Sequence, residues 1–274
     1  MSVKILEVNK DNNGRRLDNY LISIYKNIPK SKIYNIIRKG EVRINSGRVR
    51  PYYKIKTGDK IRIPPNLEQI EKKVTFIDYK LHSIFTNNII FENGNFLVIN
   101  KPYGISVHSG SKNNYGIIDI ARDIYGNALD LCHRIDKETS GCLVLSKNKQ
   151  SNKWFNEQLI TNKVKKKYLA ILKGHLKKNI KLSTKLDKHF DNQSKSYVNT
   201  ESGKESISSF KIKKLLNSSC FVEIEIFTGR THQIRVQSNY IGHPILNDKK
   251  YGDKNFNKNI ASNDIKRMAL HASE

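Results

Sequence analysis

Apolar residues fall at helical spacing early in the chain. Leu17, Tyr20, Leu21, Ile24 and Tyr25 recur at i, i+3, i+4, i+7 and i+8, which predicts a helix with one buried face. Pro29 interrupts, Ser31 is a suitable N-cap, and Ile33, Ile36 and Ile37 predict a second short helix stopped by Gly40. Beyond Gly40 the period becomes two. Val42 and Ile44 flank Arg43, Asn45-Ser46-Gly47 supplies a turn, and Ile61-Arg62-Ile63 closes before Pro64-Pro65. Residues 66–85 have no clear period and read as a linker. From residue 89 the pattern is a β-rich mixture of helix and strand. Ile89-Ile90-Phe91 and Phe96-Leu97-Val98-Ile99 flank a hairpin turn, Ile117 to Tyr125 predicts a helix ended by Gly126, and Cys142 to Leu145 a short buried strand. Trp154 to Ile160 predicts a helix, and Cys220, Val222, Ile224 and Ile226 alternate as a strand with one buried face. The polar stretch from Asp187 to Glu205 predicts a long exposed loop.

Charge changes this picture. Of 274 residues, 50 are Lys or Arg and 25 Asp or Glu, a net charge of +25. A polyanion is therefore the first partner to consider, because phosphate neutralisation supplies most non-specific nucleic-acid affinity. Residues 1–65 hold 16 basic against 5 acidic side chains, so the first segment is more than twice as positive per residue as the rest. No apolar run approaches the ~20 residues that span a bilayer, and the amino terminus lacks the apolar core of a signal peptide. A cytoplasmic protein without a membrane partner is expected. Cys132, Cys142 and Cys220 form no CxxC pair, so small apolar fillers of strands are expected rather than a disulfide or zinc scaffold.

Candidate chemistry concentrates in His133-Arg134-Ile135-Asp136-Lys137-Glu138-Thr139-Ser140-Gly141, just before an apolar strand. Three readings compete. A metal site would use His133, Asp136 and Glu138, but the segment has one His and no ligand-like helical spacing. An aspartyl-phosphate nucleophile would follow a strand with a second Asp two residues on, whereas here the strand comes after and Glu138 fills that place. The third is an Asp nucleophile acting without metal beside an Arg. Thr228-Gly229-Arg230-Thr231-His232-Gln233-Ile234-Arg235, following the half-buried strand, offers such a partner. Either Arg taken alone also reads as a surface cation.

Gly14-Arg15-Arg16-Leu17-Asp18-Asn19-Tyr20-Leu21 and Arg38-Lys39-Gly40-Glu41-Val42-Arg43-Ile44-Asn45 resemble the S4 RNA-binding domain. The His133–Gly141 segment resembles the HRLDxxTSG signature of RluA-type pseudouridine synthases, and residues 228–235 resemble their GRTHQIR block. Asn100-Lys101-Pro102-Tyr103-Gly104, Gly242-His243-Pro244-Ile245 and, less specifically, Lys167-Tyr168-Leu169-Ala170 match further elements in order. The resemblance implies an α+β fold: a catalytic domain with a largely antiparallel mixed sheet over residues 86–274, behind a small S4-like domain at 1–65. It implies an isomerase that turns particular uridines of large-subunit ribosomal RNA into pseudouridine, as a monomer and with no cofactor or metal.

On the same ground Asp136 is the nucleophile, Arg230 pairs with it, and Tyr168 stacks on the uracil and can take part in proton transfer. RNA contacts are expected from Arg15, Arg16, Lys30, Lys32, Arg38, Lys39 and Arg43, and from His133, Arg134 and Arg235, with Arg235 also open to internal pairing. Members of the family usually continue beyond the residue matching Glu274, so a truncated carboxyl end is expected. A non-catalytic ribosome-binding protein and a metal-dependent phosphohydrolase are the rival readings.

Overall fold

The structure is a computed structural model that describes residues 3–25, 28–65, 67, 77–109, 115–188, 196–199, 201–260 and 265–274. The chain forms two compact units, Met1–Phe76 and Ile77–Glu274. In the first, β1 (Lys4–Glu7), α1 (Leu17–Ile24), α2 (Lys30–Arg38), β2 (Arg43–Ile44), β3 (Gly47–Arg48) and β4 (Lys60–Ile63) follow in order, and the sheet runs β1-β4-β2-β3. The periodic residues are its core: Leu17, Leu21, Ile33 and Ile61 are wholly inaccessible to solvent. Burying each such side chain contributes roughly 1.5–3 kcal/mol before chain entropy is charged against it. Pro29, not Ser31, occupies the N-cap of α2, because its fixed φ of −55° leads into the helix and its carbonyl accepts from the Lys32 and Ile33 amides. The Asn45-Ser46 turn has positive φ at both residues, 48° and 69°, the twist a tight hairpin needs.

The second unit contains α3 (Tyr79–Thr86), β5 (Ile89–Glu92), β6 (Phe96–Lys101), α4 (Ile117–Tyr125), β7 (Asp130–Leu131), β8 (Ser140–Ser146) and α5 (Lys149–Ile160). It continues with β9 (Lys167–Lys173), β10 (Ile180–Lys188), β11 (Ser196–Val198), β12 (Lys204–Leu215), β13 (Ser219–Ile226), α6 (Gln233–Tyr240), α7 (Lys254–Ile260) and β14 (Leu270–Ala272). Among the described residues, ten strands form one sheet in the order β11-β10-β12-β13-β9-β14-β8-β6-β5, with β7 on β8. Every pairing is antiparallel except β14 with β8. That parallel contact explains Gly141. Its φ is +110°, and a Cβ there would stand 2.1 Å from the Ala272 carbonyl oxygen.

Two stretches differ from the sequence reading. Part of the expected linker is helix: Asp78 caps α3 by accepting from the Lys80 amide, and Phe85 is fully buried. The expected loop from Asp187 to Glu205 contains β11 and the start of β12. Leu186–Lys188 pairs with Ser196–Val198, and Ser196 and Ser206 are buried hydroxyls that conceal a strand's inward face from an apolar count. Residues 189–195 and 200 of that stretch lie outside the described residues, as do 66 and 68–76 of the expected linker. The three cysteines are free thiols, Cys132 and Cys220 fully packed. No helix among the described residues is long and apolar enough to cross a membrane.

Candidate active site

Asp136 lies on the loop between β7 and β8, where the Thr139 amide closes a turn onto its carbonyl at 3.1 Å. Its carboxylate is one-quarter exposed and lines a cleft with Arg134, Tyr168, Arg230 and His232. The cation against it is Arg235. Arg235 Nη1 donates to Asp136 Oδ2 at 3.2 Å, while its Nε and Nη2 grip Asp248 at 2.7 and 2.8 Å. Asp248 is buried and also accepts from the Lys250 and Tyr251 amides. Burial works against both charges of this pair, but each stabilises the other: Arg235 is held above the ordinary arginine range and Asp248 below the ordinary carboxylate range. Arg235 is thereby fixed as a charged fork with one arm left for Asp136.

The expected Asp136–Arg230 pair does not form. Arg230 is exposed at the mouth of the cleft, and its Nε donates to the Glu205 carbonyl at 3.1 Å. The physical reason is the helix. Residues 233–238 of α6 are buried, so Arg235 on its first turn projects inward, whereas Arg230 precedes the helix in the solvated loop. Gln233 shapes that loop: its Oε1 accepts from the Thr228 hydroxyl and the Arg230 amide. Two expected RNA contacts are likewise internal. Arg235 is 6% exposed and cannot offer itself to phosphates. His133 turns inward, accepts the Val144 amide on Nε2 at 3.0 Å and stacks on Phe155. Arg134, beside it, is exposed at the cleft.

His232 stands at the N-cap of α6 in the left-handed region, φ 57°. Its Nε2 is 3.9 Å from Asp136 Oδ2 and its Nδ1 2.9 Å from the Tyr251 hydroxyl. That hydroxyl also accepts the Ser196 amide at 2.9 Å. Burial, with help from Arg235 and Lys250, pushes His232 down to about 4 against the pull of Asp136. Burial and then Lys166 push His133 down to about 4 as well. Both imidazoles are neutral at pH 7. Their folded values lie below the unfolded value near 6.5, so the unfolded chain binds more protons between those limits. Stability is expected to be full above pH ~6.5 and to fall steadily towards pH ~4. Urea midpoints across that range check this, and His232→Gln should flatten the slope.

Lys101, within the Asn100–Gly104 element, is fully buried beside the site. Its ammonium donates to the carbonyls of Pro102 and Ile105 at 2.8 Å and of Lys137 at 3.3 Å, stapling the loop after β6 to the Asp136 loop. Burial lowers it to about 8, against the attraction of Asp136 and Glu138. Tyr103 adds a second tie through its hydrogen bond to Glu138, which with burial pushes the phenol up to about 12. The signal for Lys101 was parity: Leu97 and Ile99 face the core, and residue 101 shares their side of the strand. Asp248 and Tyr251 carried no comparable signal. Among the described residues, no group of three His, Cys, Asp or Glu could hold a metal ion.

In the first unit, Arg15, Arg16, Lys30, Lys32, Arg38 and Lys39 are exposed, and Lys32 and Arg38 line a shallow groove on α2. Arg16 also neutralises buried Asp18, whose carboxylate takes the Tyr34 hydroxyl as well. Arg43 is half-buried and donates to the Gly40 carbonyl.

The motifs that carry the resemblance thus meet in one cleft of a largely antiparallel sheet, in a chain with an S4-like first unit. A family model described as RNA pseudouridylate synthase matches residues 95–240, and one for the S4 domain matches 15–61. The ribosomal large subunit pseudouridine synthase C of Haemophilus influenzae is 41% identical over 99% of this chain and 86% of its own length. Its Escherichia coli counterpart is 37% identical over 99% and 88%. The solved structure of human RNA pseudouridylate synthase domain containing 4 aligns with TM-score 0.57 and 28% identity, covering 70% of this chain and 85% of that one. The chain belongs to the RNA pseudouridylate synthase family.

Proposed function

We propose that the protein isomerises particular uridines of large-subunit ribosomal RNA to pseudouridine, with Asp136 as nucleophile. The observation that carries the reading is Asp136 itself: a carboxylate in a cleft, braced by Arg235, beside Tyr168. The names of the relatives supply the RNA, and the exposed cations of the first unit suit its backbone. The reaction breaks the bond between sugar and base nitrogen, turns the base and rejoins the sugar to carbon 5. Carbon 5 loses its proton and the freed nitrogen gains one, so no atom is gained or lost overall. Asp136 forms and releases a covalent bond within that sequence, on sugar or on base. Tyr168 is held well above the ordinary tyrosine range by burial and then by the charge of Asp136. It therefore keeps its proton and serves by packing on the base; it is no phenolate base at neutral pH. Extruding the uridine costs a few kcal/mol, least where it is unpaired. A ribosomal substrate suits the cytoplasm.

Because carbon 5 surrenders its proton, ribosomal RNA carrying tritium at uridine carbon 5 provides the test. Release of tritium to water is expected on incubation with the protein. RNA that binds without releasing tritium would contradict the reading.

A further inference from the structure

The chain has a single tryptophan, and Trp154 is 53% exposed on α5. Single exposed apolar side chains are ordinary on a protein surface, but this ring is held in place. Phe96 packs against it with ring centroids 5.9 Å apart. Asn95, Phe96, Gln150 and Ser151 complete a groove beside it. The floor of the groove is fastened: the Ser151 hydroxyl lies 3.0 Å from Asn95 Oδ1 and 2.9 Å from Asn148 Oδ1, with its one proton for either, and the Lys147 amide donates to the Asn95 carbonyl. Lys149 and Lys153, on the same helix, are exposed, and neither is ion-paired among the described residues. The one carboxylate of α5 is Glu157, a turn further on.

This groove is joined to the active site by an aromatic chain. Phe96 also packs against Phe155 at 6.0 Å, and Phe155 stacks on His133 of the Asp136 loop. Along β8 the groove lies at the Ser146 end and the Asp136 loop at the Ser140 end, a run of about 20 Å. RNA entering the cleft has flanking nucleotides that reach such a distance.

We propose that Trp154 is a stacking platform for an unpaired nucleotide of the RNA substrate, flanking the uridine that enters the cleft, with Lys149 and Lys153 facing its phosphates. The proposal rests on the RNA-modifying reading above and adds a subsite to it. RNA rather than protein is the favoured occupant because the groove offers an exposed aromatic ring and amide groups, and the helix that carries the ring adds two exposed cations, Lys149 and Lys153, beside it, the combination that holds single strands whatever their sequence.

The lone tryptophan reports on itself. Titrating the full chain with unmodified ribosomal RNA, with binding followed separately by anisotropy of labelled RNA, is expected to quench tryptophan emission in step with binding. Trp154→Ala is expected to raise KM for naked RNA about 10-fold with kcat unchanged, the scale of one lost stacking contact, and Trp154→Phe to restore most of it. Emission unmoved at saturating RNA, or an unchanged KM in Trp154→Ala, would overturn the subsite while leaving isomerase activity in place. A KM rise confined to protein-containing ribosomal particles would overturn it in favour of a protein contact. Loss of tritium release in the unsubstituted chain would instead overturn the parent reading and the subsite with it.

Discussion

Asp136→Asn is expected to abolish tritium release from uridine, with a loss on the order of 10⁴-fold or more, as for other enzymes stripped of their nucleophile. RNA binding and folding should survive. The amide keeps the shape of the carboxylate and leaves an oxygen to accept from Arg235 at the position now 3.2 Å away. Arg235 would not become an uncompensated charge, because Asp248 holds it through two shorter bonds. Stability should therefore move by no more than about 1 kcal/mol. Measured together, tritium release, RNA affinity and urea midpoint separate a missing nucleophile from a damaged fold.

Arg235→Met is expected to fail on both counts. It leaves Asp248 buried with two backbone amides and no cation, a situation that costs roughly 3–5 kcal/mol. It also removes the brace from Asp136, so activity should be lost even under conditions where the fold persists. The pair substitution Arg235→Met with Asp248→Asn, whose side-chain oxygen still accepts the Lys250 and Tyr251 amides, separates the two effects: much of the stability should return and turnover should not. Arg230→Ala provides the contrast. Its side chain is exposed and bonded to one carbonyl, so the urea midpoint should stay within about 0.5 kcal/mol of the original. Equal destabilisation by the two arginine substitutions would contradict the observed division of labour.

That division shows where the sequence is informative. The helix from Ile117 to Tyr125 with its Gly126 stop and the strand through Cys220 to Ile226 are visible as periodicity, because one apolar face decides each, and the hairpin at residues 89–99 is visible from the turn between its two apolar runs. The cleft was legible as two motifs. Their pairing was not, since choosing between Arg230 and Arg235 requires knowing that a helix starts at Gln233 and buries its first turn. Edge strand β11 was hidden because it is three residues long and tertiary partners fix its state, whereas α3 carries its own signal, Leu81, Ile84 and Phe85 at helical spacing behind the Asp78 cap. Asp248 lay beyond reach because a lone acid in a polar stretch reads as surface until its guanidinium is seen.

The direct test of the central claim is nucleotide-resolution mapping of pseudouridine in unmodified large-subunit ribosomal RNA, after exposure to the protein and to Asp136→Asn at equal bound occupancy. New pseudouridines at a small set of positions with the unsubstituted protein, and none with Asp136→Asn, are the predicted result. The same positions appearing at the same rate with both proteins would contradict it.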